Sequence, residues 1–411
     1  MTDRLPQFAD WPVACLRNPQ ARRDLVYDAQ PTPWLSLAGT AAAWGELRQW
    51  PTYQPTPLRS LHDLAANLSI QQLWYKDEAS RFGLGSFKAL GGAYAVFRQL
   101  VQPVEAATGK ADITAADLCS GQYRDLTQTV TVTTATDGNH GRSVAWGAQQ
   151  FGCRCVIYLH AGVSAGREAA IAAYGAEMVR VAGNYDDSVH QAAADAETHG
   201  WILVSDTAHP GDTEIPSVVM QGYTVMVAEV FDQLPPDQLP THVLVQAGVG
   251  GLAAAVCAYL WERFGRDRPT TIVVEPDRAA CVYATAQQGE LVTLTGDQDT
   301  LMACLSSGHT STIAWDILRY SADWFITIPD EAAVLTMQQL AHQRSPIVAG
   351  ESGVAGLAGL LVICQQPAIR QQLGLTTTSR VLTFGTEGAT DLEIYQQLIN
   401  RSVSAPANLM P

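Results

Sequence analysis

The chain has 411 residues, 47% hydrophobic and 16% charged, a balance that supports large buried cores and excludes a disordered or fibrous protein. This length exceeds one typical core and predicts two or three packed units. Lys and Arg total 25 against 40 Asp and Glu, a net charge of -15 that repels nucleic acid and anionic membranes, so neither is an expected partner. The N-terminal stretch lacks secretory features and no apolar run reaches spanning length, so we expect a cytoplasmic protein.

Apolar, β-branched runs alternate with alanine-rich stretches along the chain. They cover residues 130–135, 155–159, 201–205, 242–248, 271–276, 324–329 and 380–385. Continuous hydrophobic strands separated by helices predict an α/β fold with parallel sheets covered on both faces. Several strands lead into glycine turns, where open parallel sheets bind ligands. The Pro-rich stretch 232–241 is the predicted connection between two units.

The cysteines and lysines limit the available chemistry. The closest cysteines, Cys153 and Cys155, lie in an apolar run without further ligands, so they are interpreted as core residues and no metal site is expected. The sequence holds three lysines, Lys76, Lys88 and Lys110. Any reaction that needs a lysine amine must use one of them.

Lys88 stands in the segment YKDEASRFGLGSFKALGG, where a short strand leads through a loop to a helix start. Its neighbours Phe87, Ala89 and Leu90 would desolvate the ammonium, lower its pKa and favour a nucleophilic amine. Such an amine suits a Schiff base. The alternative is a surface lysine whose stem covers apolar neighbours.

A second candidate segment, TATDGNHG, follows the strand at 130–135 and precedes a helical stretch. Gly138 and Gly141 would let the backbone approach a planar ligand closely. Asn139 can donate to a phenolate oxygen, and Asp137 offers a carboxylate beside it. The alternative is a capped helix start without a ligand.

A third segment, QAGVGGLA at 246–253, combines a strand, a glycine turn and a helix of small residues. Successive backbone N–H groups in such a turn can hold a phosphate, with the helix dipole behind them. The spacing matches neither a dinucleotide fingerprint nor a P-loop.

Together with PTPL at 55–58 and GTEGATD at 385–391, these segments resemble fold-type II pyridoxal-phosphate enzymes from about Pro55 to Asp391. Within that group the chain resembles the diaminopropionate ammonia-lyases, on RFGLGSFKALGG, TATDGNHGRSVAWGAQQFG and SDTA at 205–208. Serine and threonine dehydratases typically carry a serine in place of Asp137. The resemblance implies two open, twisted, mainly parallel sheets flanked by helices. It also implies a large cofactor-binding domain (1–90 plus 235–411) and a small domain (91–234) that carries the Asn loop and the acidic residues.

The resemblance also implies roles for individual residues toward pyridoxal 5'-phosphate. Lys88 would form the Schiff base, Asn139 would bind the phenolic oxygen, and Thr386 would face the pyridine nitrogen. Thr383 is the second choice for that nitrogen, because Gly385 stands where relatives place a serine. Asp137 and Asp206 match the two acidic residues that this family uses on its substrate. The remaining implied cofactor contacts are Phe87, Gly248, Val249, Gly250, Gly251 and Leu252.

The implied reaction is α,β-elimination of D- or L-2,3-diaminopropionate, a small amino acid, to pyruvate and two ammonia, by a homodimer. The alternatives are a serine or threonine dehydratase-type lyase of the same fold, a synthase performing β-replacement, and a relative that binds the cofactor without turnover. Two loops, at 209–212 and 306–310, depart from the family pattern and bear on substrate preference.

Overall fold

The structure is a computed structural model that describes residues 5–9, 11–28, 33–136 and 138–403. The chain divides into two compact units. Unit 1 comprises Met1–Pro31, Thr56–Ser80 and Val227–Pro411, and unit 2 comprises Thr32–Pro55 and Arg81–Met226. Each unit contains one sheet.

All seven strands predicted from the sequence are present, together with further short strands. The strands of the described residues are β1 (Cys15–Arg17), β2 (Leu58–Ser60), β3 (Gln72–Asp77), β4 (Thr131–Ala135), β5 (Arg154–His160), β6 (Glu177–Val181), β7 (Ile202–Leu203), β8 (His242–Gln246), β9 (Thr270–Pro276), β10 (Trp324–Ile328) and β11 (Arg380–Gly385). The short strand predicted before Lys88 is β3, whereas β1, β2 and β6 lack the long apolar runs that made the others recognisable.

The α-helices of the described residues connect these strands. They are α1 (Leu37–Leu47), α2 (His62–Asn67), α3 (Gly92–Thr108), α4 (Ala115–Cys119), α5 (Arg124–Thr127), α6 (Asn139–Phe151), α7 (Ala165–Ala172), α8 (Tyr185–His199), α9 (Glu214–Gln233), α10 (Gly251–Phe264), α11 (Cys281–Gln288), α12 (Thr312–Ser321), α13 (Asp330–His342), α14 (Ala355–Cys364), α15 (Pro367–Gln372) and α16 (Leu392–Ile399). Short 3-10 helices lie at Pro33–Leu35, Glu78–Gly83, Phe87–Leu90, Gly265–Asp267 and Ala303–Leu305. No helix in the described ranges combines the length and the apolar character that crossing a membrane requires.

The sheet of unit 1 has the order β1-β10-β9-β8-β11-β3-β2. Its strands pair in parallel except for the two edge strands, β1 and β2, which are antiparallel to their neighbours. The central strands β8 and β9 are almost wholly buried, as a parallel sheet covered on both faces requires. The main core of this unit packs α13, α14 and α16 against the sheet.

The sheet of unit 2 is fully parallel and has the order β6-β5-β4-β7. A small core of Ala135, Val156, Tyr158 and Ala192 joins α8 to this sheet. Strands alternate with helices along the chain, and both sheets are mainly parallel, as the sequence predicted. The predicted α/β fold class is therefore confirmed.

The two compact units differ from the predicted large and small domains in which residues they contain. Residues 32–55 and 81–90, including Lys88, cluster with unit 2, while 227–234 cluster with unit 1. The chain changes unit between Met226 and Val227, inside α9, and the Pro-rich stretch 232–241 then leads from α9 into β8 within unit 1. The domain boundaries 90/91 and 234/235 stay a prediction.

Glu275 is a buried carboxyl group at the end of β9. Its oxygens accept hydrogen bonds from the amides of Val282 (2.8 Å) and Tyr283 (2.7 Å), in the first turn of α11. Burial raises the pKa of Glu275 to about 8, although these hydrogen bonds oppose the shift. Because the folded state keeps a proton that the unfolded state releases above an ordinary glutamate pKa of 4.5, this group contributes less stability as the pH rises from there toward 8.

We expect Glu275→Gln to remove this pH dependence, since an amide does not ionise. The melting temperature of the unmodified protein minus that of the variant should fall steadily between pH 5 and pH 8. Thermal unfolding followed by circular dichroism at several pH values measures this difference. Glu290→Gln, at an exposed position, is the control: the melting temperature of the unmodified protein minus that of this variant should not vary with pH. A constant difference for Glu275→Gln would contradict the prediction.

Candidate active site

The three lysines have very different surroundings. Lys76 is fully buried, and its Nζ binds Glu229 Oε2 (2.6 Å) and the Thr56 carbonyl oxygen (2.8 Å) within unit 1. Withdrawing that ammonium would leave a buried carboxylate unpaired, which is costly. Lys110 lies on the surface and pairs with Asp117 (3.4 Å). Lys88 is therefore the lysine whose setting suits a reacting amine.

Lys88 lies in the 3-10 turn Phe87–Leu90 of unit 2, and its amine is held by an acid and two rings. Nζ is 2.5 Å from Asp206 Oδ2, with both side chains mostly buried. The same Nζ lies 5.6 Å from the ring centre of Phe87 and 5.7 Å from that of Tyr223. The structure thus brings together Lys88, Phe87 and Asp206, three of the residues predicted from the sequence. The carboxylate favours the charged amine, which the neighbouring apolar residues alone did not indicate.

Asp206 also faces His140, a residue of the Asn-His-Gly motif. His140 Nδ1 is 3.8 Å from Asp206 Oδ2, and His140 Nε2 is 2.8 Å from the carbonyl oxygen of Val204. Burial raises the pKa of Asp206, but the nearby Lys88 and His140 and the hydrogen bonds from Lys88 and Thr207 together lower it further, so the net shift is downward. Asp206 is therefore an ionised carboxylate.

A serine of α6 fixes the backbone that carries Lys88. Ser143 Oγ donates to the Lys88 carbonyl oxygen (2.9 Å) and accepts from the Ala93 amide (2.9 Å). A side chain on Gly92 would overlap this hydroxyl. Sequence reasoning did not select Ser143, because a serine inside a helix carries no functional signal.

A second close approach, from α9, supports the same segment. A Cβ on Gly222 would overlap the carbonyl oxygen of Leu90, and one on Gly91 would overlap the ring of Tyr223. The Gly-Gly pair after Lys88 and the Gln-Gly-Tyr sequence of α9 therefore fit each other without side chains. This packing sets the position of the Lys88 turn.

Asn139 begins α6 and is buried, with His140 directly after it. Thr136 Oγ1 accepts from the amides of Gly138 (3.0 Å) and Gly141 (3.0 Å), so a threonine hydroxyl caps this loop. Asp137 lies outside the described residues.

In unit 1, the turn between β8 and α10 has the features of a phosphate cup. Cβ atoms on Gly248 and Gly250 would lie 3.2 Å and 3.1 Å from neighbouring atoms, and Gly250 has a left-handed φ of 93°. Carbonyl oxygens of the turn are held by the Ser311 amide (2.9 Å) and the Cys281 thiol (3.4 Å). The amides from Gly248 to Leu252 donate to no acceptor among the described residues. They remain as donors for an anion.

Gln246, at the end of β8, organises the loops around Thr386. Its Nε2 donates to Thr386 Oγ1 (2.9 Å) and to the carbonyl oxygens of Gly353 (3.0 Å) and Phe384 (3.0 Å). Because the Thr386 hydroxyl accepts this bond, its own proton can be donated to another acceptor. A glutamine at the end of an apolar strand was a signal that sequence reasoning passed over.

The structure separates the two predicted partners of the pyridine nitrogen. Thr383 is fully buried in the sheet, and its hydroxyl donates to the Trp74 carbonyl oxygen (3.2 Å). The Thr386 hydroxyl, by contrast, donates to no acceptor within the part of the chain that the structure describes. At 385, any side chain would overlap the ring of Tyr75, so this fold requires the glycine that stands there.

The two loops with unusual sequences are tightly turned. His209 and Asp212 exchange backbone hydrogen bonds of 3.2 Å and 3.0 Å within unit 2. In unit 1, Ser306 Oγ donates to the Gln298 carbonyl oxygen (2.8 Å) and Ser307 Oγ to that of His309 (3.0 Å). Their hydroxyls thus hold the loop rather than project from it.

Each unit, taken by itself, has donors that suit a different part of pyridoxal phosphate. An amine lies between aromatic rings and a carboxylate in unit 2, while unit 1 supplies a turn of unused amides and a hydroxyl with a proton to donate. These match an aldehyde, a phosphate and a pyridine nitrogen. No group of three His, Cys, Asp or Glu side chains in the described ranges is arranged to bind a metal ion.

Comparison with known proteins agrees with this chemistry. A family model described as "Pyridoxal-phosphate dependent enzyme" matches residues 50–379, and the chain belongs to that family. It is 39% identical over 358 residues to the diaminopropionate ammonia-lyase of Escherichia coli (strain K12), covering 84% of this chain and 87% of that protein. It is 37% identical over 369 residues to the diaminopropionate ammonia-lyase of Salmonella typhimurium (strain LT2), covering 87% of this chain and 91% of that protein.

Solved structures show the same relationship. The crystal structure of the Escherichia coli diaminopropionate ammonia-lyase in complex with D-serine matches with a TM-score of 0.87 and 34% identity, covering 96% of this chain and 98% of that chain. The same enzyme in complex with an aminoacrylate-PLP azomethine reaction intermediate matches with a TM-score of 0.85 and 34% identity, covering 96% of this chain and 98% of that chain. A threonine deaminase from Solanum lycopersicum, at 0.69 and 18%, shares the fold.

We expect Gly222→Ala to displace the Lys88 turn, because the new methyl group meets the backbone oxygen of Leu90. Such overpacking should cost about 1–3 kcal/mol and lower both the melting temperature and kcat/KM. Gly45→Ala in α1 is the control: its Cβ meets nothing within 4 Å, so stability should be kept or rise. A Gly222→Ala protein with unchanged melting temperature and activity would show that this approach does not position Lys88.

Proposed function

We propose that this chain is a pyridoxal-phosphate-dependent ammonia-lyase that converts 2,3-diaminopropionate to pyruvate and two molecules of ammonia. The observation that carries the proposal is the contact of Lys88 Nζ with Asp206 Oδ2, which combines a reacting amine with an acid suited to a cationic substrate. The 39% identity to an enzyme named for this activity supports it.

The cofactor contacts follow from the donors already described. When bound, pyridoxal phosphate supplies an electron sink that acidifies the α-carbon of an attached amino acid. The residues proposed to hold it are Lys88 at its aldehyde, Phe87 beside it, Asn139 at its phenolic oxygen, Thr386 at its pyridine nitrogen, and Gly248, Val249, Gly250, Gly251 and Leu252 at its phosphate.

The chain's own acids and bases would move the protons. The released amine of Lys88 would take the α-proton from one face, and Asp137 would take it from the other, so that both D and L isomers react. Asp206 would attract the β-ammonium group of the substrate in a site of low dielectric. A hydroxyl at the same position, as in serine, carries no charge and gains much less.

Two properties of the whole protein are proposed on the resemblance alone. We propose a homodimer, which the resemblance implies, and a cytoplasmic location. Size-exclusion chromatography with light scattering tests the first.

We expect Lys88→Ala to abolish pyruvate formation and the absorption band of the lysine-bound cofactor, because neither Lys76 nor Lys110 can replace its amine. Absorption spectra and a coupled pyruvate assay of the purified protein measure both. Lys110→Ala, a change on the surface, should leave both unchanged. A Lys88→Ala protein that keeps its band and its turnover would refute the assignment.

For Asp137→Asn, we expect kcat/KM to fall more for D-2,3-diaminopropionate than for the L isomer, by about tenfold or more, since an amide cannot accept the α-proton. Parallel assays with the separate isomers measure the ratio. Equal losses for both isomers would argue against a second base on the opposite face.

A further inference from the structure

Five buried side-chain polar atoms of unit 2 have no hydrogen-bond partner among the described residues, and two of them are the Tyr223 hydroxyl and His140 Nδ1. Buried polar atoms are paired in most proteins, so each exception calls for a reason, such as a catalytic role or a bound ion. Both atoms belong to residues that surround the Lys88 and Asp206 pair. Their shared location indicates that something polar is expected there.

The tautomer of His140 makes Nδ1 an acceptor. Its Nε2 lies 2.8 Å from the carbonyl oxygen of Val204, which can only accept, so Nε2 carries the proton. Burial lowers the pKa of His140 and keeps the ring neutral. Nδ1 therefore presents a lone pair 3.8 Å from Asp206 Oδ2, another acceptor. Two acceptors that face each other require a donor, and a cationic N–H is the strongest.

Tyr223 reaches the same place from α9. Its ring packs on Phe87 with centroids 4.7 Å apart, and the glycine at 91 leaves space for it. Burial raises the pKa of Tyr223, so the hydroxyl stays neutral and keeps lone pairs for a donor. Carboxylate, neutral imidazole and neutral hydroxyl together carry one negative charge, the complement of one ammonium ion.

We propose that Asp206, His140 and Tyr223 form a binding site for a primary ammonium group. Lys88 contacts this site here at Asp206. When Lys88 is bonded to the cofactor, the second ammonium of a diamino acid would contact all three residues. This inference rests on the proposed function and adds His140 and Tyr223 as residues that select the substrate. An uncharged β-substituent cannot offer three N–H donors to these acceptors. Diamino acids are therefore bound in preference to hydroxy amino acids.

The test uses the cofactor-loaded protein and two variants that remove one acceptor each. Tyr223→Phe deletes the hydroxyl and keeps the ring, whereas His140→Gln keeps a donor for the Val204 carbonyl and loses Nδ1. Stopped-flow mixing with 2,3-diaminopropionate and with D-serine, followed by the cofactor absorbance before turnover, gives an apparent dissociation constant for each. We expect binding of 2,3-diaminopropionate to weaken about tenfold or more, as for one lost charge-assisted hydrogen bond, while D-serine binding changes less than about twofold.

Thermal unfolding of the cofactor-free protein gives a second readout. Tyr223→Phe should keep or raise the melting temperature, because it removes an unpaired buried hydroxyl. The matched control, Tyr158→Phe in β5, should lower it without altering the preference between the two ligands, because the Tyr158 hydroxyl donates to Asp195.

Equal weakening of both ligands, or no change for either, would overturn the ammonium site. Failure of the proposed function is a separate result: the unmodified, loaded protein would form no pyruvate from 2,3-diaminopropionate. In that case a selective loss of diaminopropionate binding in Tyr223→Phe would still support the site.

Discussion

The ion pair between Lys88 and Asp206 is the interaction on which the chemistry of unit 2 depends. A lysine amine that must react cannot be bound like that of Lys76, because moving the Lys76 ammonium would leave the buried carboxylate of Glu229 without its counter-charge. Nor can it be solvated like Lys110. Lys88 lies between these extremes, with one carboxylate, two aromatic rings and an incompletely satisfied polar shell. That setting holds the amine in place and still allows its contacts to be exchanged for those of a substrate.

Backbone packing, rather than further charges, fixes the position of the turn that carries Lys88. Gly91, Gly92 and Gly222 remove side chains where the Lys88 turn meets α6 and α9, and Ser143 binds the Lys88 carbonyl oxygen directly. Close-packed backbone transmits small shifts, so a methyl group in this contact should be felt at the amine. The glycines of the motif are therefore part of the site although none of them has a reactive group.

Unit 1 applies a different principle, in which carbonyl oxygens and one carboxylate are held so that amides and a hydroxyl stay available. Gln246 satisfies loop carbonyl oxygens and the acceptor side of Thr386. Glu387, next to Thr386, accepts from the Ser352 amide (3.1 Å), and glycines at 350 and 353 make room for it. The result is a set of donors that stay available, as an anionic cofactor requires.

The sequence alone determined the α/β class, seven of the strands, and the motifs that contain Lys88, Asn139, Asp206, the glycine turn and Thr386, because apolar periodicity and glycine positions are local properties. The strands β1, β2 and β6, the presence of Lys88 in unit 2 and the hydrogen bond from the Thr383 hydroxyl to Trp74 depended on tertiary structure, since each is decided by a partner far along the chain. Tyr223 could also be placed beside Lys88 only by the tertiary structure, because it lies 135 positions further along the chain. No local pattern reveals that its hydroxyl and the Nδ1 of His140 are buried without partners, because burial and hydrogen bonding are set by all the elements that pack around a residue.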